Sequence, residues 1–199
     1  DVDEFDPSTA GRMELPTDLS KLRHKCLRAP RPTAYKFVSH FKWEPRKGWD
    51  VLLDAYHGAF AGRDDVALYI LTFVYFPLPP SGNPYNETEV ANFVMDYYVG
   101  RGVVLEEVPP ICVVTENMMQ ADMVRFYNAA DAFVLPTRGE GWGLPLIQAM
   151  ALAKPTIATA WGGQLAFMTQ DNSFLLDVDG EEELAADDSN PYPHRVAMR

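Results

Sequence analysis

Apolar and polar positions alternate between two rhythms along this chain. Lys36 to Phe41 is a short apolar block with the length of a buried strand. From about Trp49 to Phe60, Val51, Leu52, Ala55, Tyr56 and Phe60 recur at helical spacing on one face. Ala67 to Tyr75 is nearly all apolar, as expected of a strand with helices on both sides. A loop with Pro77, Pro79, Pro80 and Pro84 follows. Asn86, with Glu89 three residues on, then resembles a capping box, and Val90, Phe93, Val94, Tyr97 and Tyr98 form an amphipathic face behind it. Further strands are expected at Ile111–Val114, Ala132–Leu135, Pro155–Thr159 and Ser173–Leu176, with helices at Ala121–Ala129 and Leu144–Leu152.

Strand and helix alternate throughout, which predicts an α/β fold: a Rossmann-like parallel sheet with helices on both faces. Such sheets bind ligands outside the C-terminal ends of their strands, near the topological switch point. The basic loop Lys42-Trp43-Glu44-Pro45-Arg46-Lys47-Gly48 and the glycine-rich turn after Leu135 both leave strand C-terminal ends, so they can face one crevice. Residues 1–34 carry Pro7, Pro16, Pro30 and Pro32 and no clear period, and read as a linker or domain-edge segment. Residues 35–180 are expected to form the sheet domain, and 181–199 an acidic tail cut short at its end.

Composition narrows the partners. The chain has 199 residues and a net charge of -11, from 28 acidic and 17 basic side chains. That balance argues against nucleic acid or an anionic membrane surface, because phosphate backbones need clustered Lys and Arg. Seven carboxylates fall in Asp177, Asp179, Glu181, Glu182, Glu183, Asp187 and Asp188, read as a solvated loop or tail. No run approaches the ~20 apolar residues of a membrane span, so no transmembrane segment is expected. The first residue is not Met and no signal peptide is visible, which points to a fragment or processed product. The compartment is taken as cytoplasmic. Two cysteines, Cys26 and Cys112, make no disulfide framework; Cys112 lies in an apolar run and is expected to be a reduced core residue.

The densest chemistry lies in Pro136-Thr137-Arg138-Gly139-Glu140-Gly141-Trp142-Gly143-Leu144-Pro145. Gly141 and Gly143 let backbone approach a ligand and take positive φ. Free N–H groups from Gly143 to Ile147, at a helix opening with Pro145, would point at an anion such as a diphosphate. The spacing is not the dinucleotide fingerprint, and an ordinary strand-to-helix turn stays open as the alternative. Lys42, Arg46 and Lys47 in the basic loop could offset diphosphate charge, or form a solvated loop. His40 is as readily structural as ligand-binding. The four histidines are scattered, and no metal constellation or Ser-His-Asp order emerges. Asn86-Glu87-Thr88 is a glycosylation triplet that reads better as a helix cap.

Three ordered segments resemble a known family. Glu140-Gly141-Trp142-Gly143-Leu144-Pro145, Ala149-Met150-Ala151 and Lys154-Pro155-Thr156-Ile157-Ala158-Thr159 resemble the donor-site signature of group 1 (family 4) retaining glycosyltransferases of GT-B fold. Phe37 to Asp50 and Tyr127 to Pro136 are similar to two further segments, and Val2-Asp3-Glu4-Phe5-Asp6-Pro7 to the stretch after the interdomain hinge. The resemblance covers roughly residues 1–180. It implies transfer of a sugar from a nucleotide-diphosphate sugar to an unknown acceptor, with retention, no required metal and no cofactor. It gives Glu140 contact with the donor sugar and its oxocarbenium-like centre, and Lys47 the diphosphate and leaving-group charge. Gly141, Trp142, Gly143 and Leu144 would cradle sugar or phosphate, and residues from Val113 to Thr115 would line the base pocket.

The sequence departs from the family in two ways. The second carboxylate, eight positions after Glu140, is here Gln148, whose neutral bond to the ribose lowers donor affinity by about five- to tenfold. The family's arginine before the lysine has no clear counterpart; His40, Lys42 or Arg46 could stand in. The resemblance also implies that this chain is the donor-binding half, inactive without an absent N-terminal domain. A non-catalytic sugar-nucleotide-binding or interaction module, with Gln148 marking decay, is the alternative. A GT-B epimerase or phosphorylase is a third.

Overall fold

The structure, a computed structural model, describes residues 4–15, 21–74, 78–184 and 194–197. Tyr75, Pro77, Asp187 and Asp188 lie outside these residues, as does most of the expected tail. The sheet strands are β1 (His24–Cys26), β2 (Tyr35–Lys42), β3 (Val66–Phe73), β4 (Ile111–Val114), β5 (Ala132–Leu135), β6 (Thr156–Thr159) and β7 (Phe174–Leu176). The helices are α1 (Trp49–Phe60), α2 (Glu87–Gly100), α3 (Gln120–Asn128) and α4 (Leu144–Ala151). A separate hairpin pairs β8 (Glu181–Leu184) with β9 (His194–Ala197).

The strand order is β1-β4-β3-β2-β5-β6-β7. All neighbours are parallel except β1, which runs antiparallel to β4. This is the α/β fold expected from the alternation of strand and helix. The order reverses between β2 and β5, so the crevice forms outside their C-terminal ends. Every residue of β3 but Phe73 is buried, which matches its unbroken apolar run. α1 and α2 cover one face: Phe37 of β2 meets Tyr56 and Phe60, and the Tyr98 hydroxyl donates to Leu53 O at 2.9 Å. α3 covers the other, with Tyr127 against Phe133 of β5.

Local chemistry explains the element ends. Asn86 caps α2 by accepting the Glu89 N–H at 3.1 Å. The reciprocal half of the expected box is replaced: the Glu89 carboxylate accepts instead from the Ser81 hydroxyl at 2.6 Å, fixing the proline loop to the helix.

Two expectations for the N-terminal region and the cysteines are corrected. Residues before Tyr35 are not all irregular, since β1 extends the sheet and Phe5, Met13 and Leu15 are buried in the core. The run from His24 to Cys26 is too short and too polar to show a period, so only pairing reveals it. Cys112 is not a reduced core thiol: the register places Cys26 opposite Cys112 and they form a disulfide. Their separation of 86 residues hid the pairing. Among the described residues no helix is long and apolar enough to cross a membrane.

A crosslink closing so long a loop restricts the unfolded chain strongly. Cys112→Ser should therefore lose about 2–4 kcal/mol of stability. Urea unfolding checks this, and added reductant should leave the variant's midpoint unchanged while lowering the wild-type one.

Candidate functional site

The site grows from two loops at the switch point. After β2 the chain makes a 3-10 turn (Pro45–Lys47), and Gly48 in the left-handed region (φ 67°) starts α1. After β5 the chain enters the glycine turn, and Gly143 (φ 87°) starts α4. The two loops touch at backbone level. A Cβ on Gly48 would lie 2.1 Å from Pro136 O, so only glycine fits. Arg138 N–H donates to Arg46 O at 2.8 Å, and the Arg46 guanidinium returns a bond to Gly139 O at 2.6 Å. Arg138 forms a bidentate pair with Asp50 at 2.6 and 2.7 Å and also donates to Pro45 O at 2.9 Å. The fully buried Thr137 hydroxyl lies 3.2 Å from Arg46 O and 3.3 Å from Glu140 Oε1.

A third loop grips the turn from its far side. Gly163 N–H donates to Glu140 O at 2.9 Å, and a Cβ on Gly163 would meet Gly141 O at 2.0 Å. Buried Gln164 holds that loop by donating to Thr159 O at 3.0 Å and to Trp161 O. Glu140 is thus fixed at its backbone by β6's loop and at its side chain by β2's loop.

Between them sits an ion pair. Lys47 Nζ donates to Glu140 Oε1 at 2.5 Å, with side chains only 12% and 9% exposed. Burial pushes the Lys47 ammonium below its ordinary range; Glu140 opposes that shift and Arg46 adds to it. His40 lies nearby on β2. Burial, and then the charge of Lys47, lower its pKa to about 4. Its Nδ1 is 2.6 Å from the Tyr127 hydroxyl, which burial keeps protonated. His40 is therefore neutral at pH 7. His40 also lines a cavity of about 160 Å³, mostly apolar, with Leu71, Thr72 and Phe73 of β3, Tyr85 before α2, and Glu116, Asn117, Met118 and Met123 after β4.

The residues expected at the site divide clearly. Glu140, Lys47 and Arg46 converge with Gly141 in one clasp. Trp142 and Leu144 are largely exposed at its rim, Trp142 against Phe167. Gln148 lies on the second turn of α4, partly exposed. Lys42 is exposed over the Phe73 ring, outside the clasp. Thr115 is buried and donates to the backbone of Tyr85, which lines the cavity, at 2.8 Å. The expected row of open N–H groups is shorter than predicted: Leu146 and Ile147 both donate to Gly143 O, which leaves Gly143 and Leu144. Sequence reasoning missed Asp50, Thr137, Arg138 and Gly163. A hydroxyl two residues before Gly139 is a recognisable turn signal, but the Asp50–Arg138 pairing spans 88 residues and carried none. Among the described residues no three His, Cys, Asp or Glu side chains gather to hold a metal ion.

The backbone approach gives a paired test. Gly48→Ala should cost roughly 2 kcal/mol or more, through positive φ and the Pro136 contact. Gly58→Ala, in open space on α1, should stabilise by about 0.5–1 kcal/mol. Urea midpoints compare the two. For His40 the folded pKa lies below the unfolded one, so the unfolded chain takes up the proton first. Stability falls as pH drops from about 6.5 toward 4. His40→Gln should lose roughly 1–2 kcal/mol less than wild type between pH 7 and pH 5 in the same measurement.

Comparison with known proteins identifies the family and the fold. The description "Glycosyl transferases group 1" matches residues 34–187. A D-inositol 3-phosphate glycosyltransferase of Corynebacterium urealyticum is 38% identical over 64 residues, 32% of this chain and 15% of that protein. The C-terminal domain of a group 1 glycosyl transferase from Francisella tularensis superposes with a TM-score of 0.57 at 19% identity, over 86% of this chain and 79% of that one. Anabaena HepE in complex with UDP and glucose superposes with a TM-score of 0.55 at 19% identity, over 86% of this chain and 41% of that one. The fold is thus that of a GT-B C-terminal domain, while the chain spans under a fifth of the matched Corynebacterium enzyme and under half of HepE. With a family match over residues 34–187 and this fold, the chain belongs to the group 1 glycosyl transferases.

Proposed function

We propose that this chain binds the nucleotide-diphosphate sugar donor of a retaining glycosyltransferase, and that an acceptor domain elsewhere in a larger protein completes transfer. The observation that carries this is the Lys47–Glu140 pair, held mostly out of water at the switch-point crevice. A cation and a carboxylate side by side match a donor that presents a diphosphate next to sugar hydroxyls. HepE, crystallised with UDP and glucose, supports the ligand class.

In this reading Lys47 stabilises charge on the leaving diphosphate, and Glu140 holds the sugar hydroxyls and the oxocarbenium-like centre. The Gly143 and Leu144 N–H groups face the phosphate or sugar, with Gly141 and Trp142 beside them. The cavity beside His40 takes the base. Arg46 acts indirectly, since its guanidinium is committed to Gly139 O and Glu44. Lys42 serves as a peripheral charge, and Gln148 meets the ribose without a charge-assisted bond. No metal is needed, because the cation is Lys47. The Cys26–Cys112 disulfide fits an oxidising compartment better than the cytoplasm, where thiols are kept reduced.

The second reading, a non-catalytic binder, rests on Gln148 and shares the ligand. A thermal-shift series with UDP, GDP, ADP and their hexose conjugates tests the common claim. A ligand at ~100 times its dissociation constant should add about 2.7 kcal/mol of stability. Gln148→Glu should tighten the bound nucleotide by about five- to tenfold. No shift with any of these ligands would sink both readings.

A further inference from the structure

We propose that the Lys47–Glu140 ion pair makes the site select an intact sugar nucleotide over the nucleoside diphosphate that transfer leaves behind. This rests on the donor-binding reading above. In the structure the two charges neutralise each other at 2.5 Å, with 12% and 9% of their side chains exposed. A diphosphate can engage Lys47 only by drawing its ammonium from Glu140. Among the described residues Glu140 then retains the Thr137 hydroxyl, whose single proton is also within reach of Arg46 O at 3.2 Å and Gly139 O at 3.2 Å. The carboxylate has little access to water, since its side chain is only 9% exposed.

A free nucleoside diphosphate therefore leaves a mostly buried carboxylate short of partners, an arrangement that opposes binding. A sugar nucleotide carries hydroxyls beside its diphosphate and can donate to Glu140 in place of Lys47. The pair is thus exchanged rather than broken, and both charges stay satisfied. The same contrast works in reverse after transfer. Once the sugar has left, Glu140 draws Lys47 back from the diphosphate, which speeds release of the product. The neighbouring charges do not substitute for either partner. Arg46 is bound to Glu44 and to Gly139 O, and Arg138 to Asp50 and Pro45 O.

The test compares each nucleoside diphosphate with its own hexose conjugate by titration calorimetry, for UDP, GDP and ADP. Wild type, Glu140→Gln and Lys47→Met are measured, with Glu140→Ala as the second variant should the first fail to melt cooperatively. Removing the carboxylate should tighten the free diphosphate by about tenfold and leave the sugar conjugate unchanged or weaker. Lys47→Met should weaken both. A Glu140 variant that binds the diphosphate no more tightly than wild type overturns the selection while donor binding stands. Absence of binding by every nucleotide to wild type and variants overturns the donor reading itself, and the selection with it.

Discussion

The site depends on how closely the loop after β2 can lie against the turn after β5. Gly48 and Pro136 meet where a single Cβ would collide, and the two loops exchange backbone and guanidinium bonds across that contact. Lys47 immediately precedes the contact and Glu140 follows it. Any side chain at Gly48 would push the loops apart and with them the charges. Proximity of strands β2 and β5 in the sheet makes the contact possible, since parallel neighbours end on the same side.

Electrostatics at the crevice follow from that packing. A lysine so enclosed is hard to keep charged, and its depressed pKa records the burial. Glu140 restores the balance, and Asp50 does the same for Arg138. Two ion pairs therefore brace the loops: Asp50–Arg138, bidentate and the more exposed, and Lys47–Glu140, singly bonded and the more enclosed. His40, neutral against Tyr127, adds no competing cation beside them. The arrangement leaves Lys47 and Glu140 at the crevice, each matched to the other.

The edges of the sheet matter to the site at longer range. β1 is tied to β4 by the disulfide, and Thr115 N–H donates to Arg23 O at 2.9 Å just beyond it. That bond fixes the end of β4, where Glu116 and Asn117 line the cavity. The segment before β2 thus also supports the cavity.

Periodicity in the sequence was enough to place β2 through β7 and α1 through α4 within a residue or two, because each is a run whose burial is decided by its own alternation. The glycine spacing and the lone carboxylate of the turn also marked Glu140, and the basic loop marked Lys47. What the residues could not reveal were partnerships between distant segments: Cys26 with Cys112, Asp50 with Arg138, Thr137 with Arg46 O. Each forms only once the strand order sets which ends are neighbours. Even the free N–H row was shortened by a local bond that only the turn's conformation defines. The sequence by itself determined β2 to β7, α1 to α4 and the charged residues of the two loops. The tertiary structure decided that Lys47 and Glu140 are one unit, because a charge is paired by distance in space and the sheet alone sets that distance.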